Sequence, residues 1–111
     1  MDSEVQSHLW DIIKAIEEIE TFFEGKPKLF AEFQKDIKTK RAVERNLEIV
    51  GEAFNRIKRA DNTISITNAD KIIATRNRLA HAYDNVSDEV IWSIVIKHLS
   101  PLKEEIQYLL K

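Results

Sequence analysis

The chain has no cysteine, two glycines, two prolines and one methionine among its 111 residues. Without thiols there are no disulfides, thiolate nucleophiles or thiolate metal sites, and a cytoplasmic location is expected. So few glycines and prolines leave little turn chemistry for a many-stranded sheet. No apolar run approaches the roughly 20 residues that a membrane-spanning helix needs. The opening Met1-Asp2-Ser3-Glu4 is acidic, unlike a signal or transit peptide. These absences leave one helical, soluble domain covering residues 1–111.

What is present is hydrophobic residues at 43% and charged residues at 32%, patterned for helices. Val5, Leu9, Ile12, Ile13, Ile16, Ile19 and Phe23 recur at intervals of three and four, predicting an amphipathic helix from Ser3 to about Glu24. Ser3-x-x-Gln6 reads as its capping box, and Gly25-Lys26-Pro27 as its end. Leu29, Phe30 and Phe33 suit a short helical turn over the core. Asp36 or Thr39 caps the next helix, whose stripe is Val43, Leu47, Val50, Phe54 and Ile57. Gly51 inside it costs about 1 kcal/mol against alanine, which suggests close approach of another helix. Asp61-Asn62-Thr63 is a loop.

Thr67-x-x-Asp70 reopens a helix with Ile72, Ile73 and Leu79 inward, closing at Tyr83-Asp84-Asn85. Ser87-Asp88-Glu89 starts a last helix, with Pro101 kinking or restarting it. Four substantial helices joined by short connections predict an antiparallel four-helix bundle with one short additional helix. The last helix carries Val90, Ile91, Trp92, Ile94, Val95 and Ile96 almost without interruption. A single buried stripe does not need so many, so a homodimer is expected. Trp10 and Trp92 read as core or interface anchors.

Charge is uneven. Residues 38–78 hold ten basic and five acidic residues, while the flanks hold seven and 14. The basic middle suits a polyanion, although a solvated surface of mixed charge is the plain alternative. Within it lies Arg76-Asn77-Arg78-Leu79-Ala80-His81-Ala82-Tyr83. At 100° per residue, Ile72, Arg76, Leu79 and Tyr83 share one ridge, and Ile73, Asn77 and His81 the next. An arginine, an asparagine and a histidine on an apolar face need partners or a cleft.

Histidine titrates near neutral pH, and the guanidinium is a permanent cation shaped for phosphate. His81 and Arg76 therefore suit metal-independent RNA cleavage, in which a 2′-OH attacks the adjacent phosphate. Asn77 and Arg78 are supporting, RNA-positioning candidates. One histidine does not readily serve as base and acid together, and Arg76 and His81 diverge by about 140° on an ideal helix. Two copies meeting across a two-fold axis answer both difficulties. The alternative is structural: an arginine and a histidine at a helix end that cap carbonyls or pair with Asp84. His8 and His98 read as ordinary, and three dispersed histidines have no metal-site spacing. Neither metal nor cofactor is expected. Glu44 and Glu48 are expected to face solvent, and Glu52 to reach Arg76 or Arg78 across the bundle.

The string Arg76-x4-His81-x-Tyr83 lies in RNRLAHAYDNVSDEVIW. RAVERNLEIVGEA precedes it at 41–53, and LSPLKEEI follows at 99–106. In that order and spacing the blocks resemble the HepT-like toxins of the HEPN superfamily across nearly the whole chain. The resemblance implies a dimeric HEPN helical bundle with the motif at its interface. It also implies a ribonuclease that leaves a 2′,3′-cyclic phosphate and acts as the toxin of a type II toxin–antitoxin system. The implied partner is a minimal nucleotidyltransferase antitoxin that places AMP on Tyr83, covering of the site being the other route to neutralisation. The alternative within the same superfamily is a non-catalytic subunit that binds nucleotide or substrate for a nucleotidyltransferase. A third possibility, a purely structural helical dimer, predicts that Arg76 and His81 are buried and internally satisfied.

Overall fold

The computed structural model describes residues 1–81 and 85–111. Among these residues there is helix and no strand. The order is α1 (Ser3–Thr21), α2 (Phe30–Lys35), α3 (Ile37–Ala60), α4 (Ala69–Leu79), α5 (Asp88–Ser93), a π-helical turn (Ile94–His98) and α6 (Leu99–Leu109). The last three run on without a break, so the bundle has four long members and the short α2. The dispositions of side chains show how two pairs run. Glu18 meets Asn46, while His8 and Arg56 share a groove further along, so α1 and α3 are antiparallel. Lys58 pairs with Asp70, while Gly51 lies against Arg76, so α3 and α4 are antiparallel too.

The apolar periodicity of the first and third helices carries straight into the core. Val5, Leu9, Ile12, Ile13, Ile16 and Ile19 of α1 are buried against Val43, Leu47, Val50, Phe54 and Ile57 of α3. Each such side chain contributes roughly 1.5–3 kcal/mol by leaving water. Asn46 is buried among them, and its amide donates to Glu18 Oε1 at 3.2 Å and the Ala42 carbonyl at 3.0 Å. Phe33 is the residue of α2 that enters the core, whereas Leu29 before it is exposed. Trp92 is half-buried against Phe33, Phe30 and Phe23, with ring centroids 5.0, 6.2 and 5.8 Å away. Trp10 is 51% exposed, so it is no core anchor.

Several helix ends differ from expectation by one or two residues. Asp2, not Ser3, caps α1: its Oδ1 accepts the Glu4 N–H at 2.7 Å, and Gln6 turns to the Met1 carbonyl. Asp36 caps α3, accepting the Thr39 N–H at 3.0 Å and the Thr39 hydroxyl at 2.6 Å. Those bonds to the ionised form hold its carboxyl below the usual carboxylate range. Ahead of α4, Thr67 is not the cap. Its N–H donates to Glu105 Oε2 at 2.8 Å, and Asn68 enters the helix in the left-handed conformation with φ 65°. Asparagine tolerates that geometry better than most side chains. The helix then ends at Leu79, earlier than the expected closure at Tyr83-Asp84-Asn85; Tyr83 and Asp84 lie outside the described residues.

Ser87 caps α5 as expected, accepting the Val90 N–H at 3.2 Å. Pro101 neither restarts the rod nor uses Ser100 as a cap, since both lie inside α6. The widened π turn just before it makes the adjustment. There the Leu99 N–H reaches five residues back to the Ile94 carbonyl. A wider turn relaxes the ladder that a proline ring otherwise strikes. Among the described residues no helix is long and apolar enough to cross a membrane.

Candidate functional site

The helix carrying the motif is lightly anchored. Ile72 and Thr75 are its buried residues, with Ile73 and Leu79 half-buried beside them. Thr75 satisfies its hydroxyl on the Lys71 carbonyl at 3.0 Å. The helix packs chiefly on α3, and Gly51 is the reason it comes so close. A Cβ at Gly51 would fall on Arg76 Cβ, 2.8 Å from Arg76 Cγ and 3.2 Å from the Ile72 carbonyl oxygen. The aliphatic stem of Arg76 therefore lies against bare backbone.

On the outer side of α3 a channel of about 420 Å³ runs between α1 and α4. Its floor is α3, through Arg45, Glu48, Ile49, Glu52, Ala53 and Arg56; His8 and Asp11 wall it from α1, and Arg76 from α4. Arg76 is half-buried there, with its Nη2 3.0 Å from Glu52 Oε2 and its Nη1 donating to Asn77 Oδ1 at 3.1 Å. Glu52 was the expected partner, and the pairing falls to Arg76, not Arg78. Arg78 instead donates to the Asn85 carbonyl at 2.7 Å, tying the end of α4 to the chain that enters α5.

Asn77 is exposed and acts on Arg76. His81 is exposed, two residues beyond the helix, with its N–H on the Arg78 carbonyl at 3.2 Å. The purely structural arrangement, with Arg76 and His81 both buried, is thus not what the fold contains. Nor does one chain bring the two together in the channel: among the described residues, its lining includes Arg76 and not His81. The expected divergence assumed a helix running through His81, whereas α4 ends at Leu79 and His81 lies past it. Tyr83 lies outside the described residues.

Several contributors to the channel, Arg45, Arg56, His8 and Asp11 among them, escaped the sequence reading. Arg45 and Arg56 look like any exposed α3 cation, and His8 like any helix-surface histidine with a carboxylate four residues away; its Nε2 is 3.7 Å from Glu4 Oε1. Glu44 and Glu48, both expected in solvent, are half-buried, Glu48 on the channel floor. Only the relative placement of three helices reveals these residues as one surface. His98, in the π turn, forms a separate polar contact: Lys71 Nζ lies 3.3 Å from its Nε2, and the Asn68 amide 3.3 Å from its Nδ1. Burial, with Lys71 and Lys97 nearby, pushes the His98 imidazole below its ordinary pKa. Among the described residues, no group of three or more His, Asp or Glu side chains is placed to hold a metal ion.

Comparison with known proteins shows the family. Residues 12–109 match the family model described as Ribonuclease HepT-like. A protein of Methanocaldococcus jannaschii, whose RNase assignment is itself inferred, is 32% identical over 109 residues, spanning 97% of this chain and 88% of its own. One of Thermococcus cleftensis, assigned by inference as a ribonuclease HepT, is 36% identical over 110 residues and 96% of each chain. A third, from Caldanaerobacter subterraneus and likewise an inferred RNase, is 31% identical over 83 residues and 74% of each. No solved structure gives a significant match.

Proposed function

Since the chain belongs to the HepT-like ribonuclease family of the HEPN superfamily, we propose that it is a metal-independent endoribonuclease whose cleavage chemistry rests on Arg76 and His81. The observation that carries this reading is the placement of the motif. Arg76 is presented on an open channel, and His81 stands exposed just past the end of the same helix.

The ribose 2′-OH attacks the neighbouring phosphorus, and the bond to the 5′-oxygen of the next nucleotide breaks. The products are a 2′,3′-cyclic phosphate and a 5′-hydroxyl. His81 moves a proton at the attacking or the departing oxygen, and Arg76 steadies the charge that grows on the phosphoryl oxygens. A homodimer supplies a second copy of His81 for the proton transfer the first does not perform, at a groove shared by the two chains. Arg78 and Asn77 act at one remove, the first through the chain after the motif and the second through Arg76.

In the cell, the proposed role is that of a toxin in a type II pair, neutralised by a minimal nucleotidyltransferase. Adenylylation of Tyr83 adds a bulky nucleoside and a phosphodiester charge within two residues of His81. The added phosphate engages Arg76 while the adenosine blocks RNA.

Expression of the chain alone should arrest growth, and His81→Ala should abolish both arrest and cleavage by the purified protein. Arg76→Ala should reduce cleavage strongly with the helical circular dichroism retained. EDTA should leave the rate unchanged. Harmless expression with intact RNA supports the non-catalytic binding subunit instead. Intact mass after co-expression with the neighbouring nucleotidyltransferase and ATP should rise by one AMP. A neutralised complex of unmodified mass leaves covering of the site as the mechanism.

A further inference from the structure

One carboxylate on the channel floor serves three guanidiniums. Glu52 Oε2 is 3.0 Å from Arg76 Nη2, while its Oε1 is 3.4 Å from Arg56 Nε and 3.2 Å from Arg59 Nη2. Glu52 and Arg76 are both half-buried, so their pair is less screened than an open surface pair. Its neighbour Gly51 provides the flat backbone on which the stem of Arg76 rests. With Asn77 Oδ1 on the other terminal nitrogen, the Arg76 side chain is held along its stem and at both ends of its fork.

An unrestrained arginine has rotamer entropy that must be lost when it grips a phosphate. Here that cost is met as the protein folds. A guanidinium has five N–H donors; among the described residues one donates to Asn77 Oδ1 and Glu52 Oε2 pairs with the other terminal nitrogen, so donors remain for an incoming oxyanion. Charge does not oppose this. The channel lining sets Arg45, Arg56 and Arg76 against Asp11, Glu48 and Glu52, and Arg59, paired to Glu52 from beside the channel, tips the balance positive, so no net negative charge repels a phosphate.

We propose that Glu52 is the positioning residue for Arg76, acting in RNA cleavage by fixing the plane of that guanidinium on the channel wall and not by touching RNA itself. This rests on the ribonuclease reading above. The inference extends that reading to a residue on another helix, 24 positions from the motif arginine.

The test is steady-state cleavage by E52A and E52Q beside the wild-type chain and R76A. E52A should lower kcat roughly 10- to 100-fold, the scale expected when a catalytic group is misplaced by about 1 Å. KM should stay within about threefold. E52Q retains a neutral acceptor and should recover part of the loss. In the R76A background, adding E52A should cost nothing further, because the two residues act as one unit.

A readout apart from turnover is the Arg76 guanidinium Nε–H signal in NMR. It should be distinct and slowly exchanging in the wild type and averaged in E52A. If R76A leaves too little rate to measure, this signal decides. If E52A does not fold, E52Q carries both measurements. Wild-type or higher activity in E52A overturns the inference, as does a loss that persists undiminished in the R76A background. If the wild-type chain itself cleaves no RNA, it is the ribonuclease reading that fails.

Discussion

Gly51 shows how a single missing methyl group sets the site. Gly51→Ala improves helix propensity by about 1 kcal/mol, yet its Cβ would meet the base of Arg76 and the Ile72 carbonyl, neither of which swings aside. Overpacking of this kind costs about 1–3 kcal/mol, so a net destabilisation of up to roughly 2 kcal/mol is expected in a urea titration. Activity should fall further than stability, because the displaced helix carries Arg76 away from Glu52. A variant more stable than wild type with full activity would contradict the close approach. That glycine was legible in the sequence as a residue in the wrong place for a helix, and so was Glu52 as a partner for a nearby arginine. His8, Arg45 and Arg56 were not, because nothing in the local pattern marks a cation or a histidine on a polar face as part of a channel.

At the scale of the element, periodicity identified α1, α3 and the last rod because their stripes are long and face one core. The ends were harder. Asp2 took the cap assigned to Ser3, and Asn68 entered α4 in place of Thr67, each because a neighbouring polar side chain one residue away reaches the same amide or tolerates the same turn. The π turn was invisible for a different reason: one extra residue is absorbed without disturbing the stripes on either side. Deleting exposed Ile96 should therefore leave both flanks in register. It would also return Pro101 to a regular ladder, where proline costs about 3 kcal/mol. The deletion is expected to lower the urea midpoint clearly in the wild-type background and much less when combined with Pro101→Ala. Equal effects in the two backgrounds would show that proline is not what the wide turn accommodates.

For the whole molecule, the antiparallel pair α1–α3 is the platform, and α4 is laid on its outer side. The N-terminal end of α4 is tied to the last rod by Thr67 on Glu105 and by Asn68 and Lys71 on His98. His98 binds its proton less readily in the folded protein than the ordinary value of 6.5. Its contribution is therefore complete above that value, and it is lost as pH falls through the lower folded value, because the unfolded chain takes up the proton first. Stability should decline as pH drops below about 6.5, and His98→Gln should flatten that part of the curve measured by chemical denaturation. A second decline belongs below the usual carboxylate range, where protonation of Asp36 releases the α3 cap. The light anchoring of α4 has a temporal consequence as well. With two buried side chains against seven on α3, the motif helix should open as a local unit far more often than the platform opens globally. Amide hydrogen exchange in residues 72–79 should then be faster than in residues 43–57, with protection in the former falling further as His98 takes up its proton, so that the helix bearing Arg76 breathes while the surface it rests on stays shut.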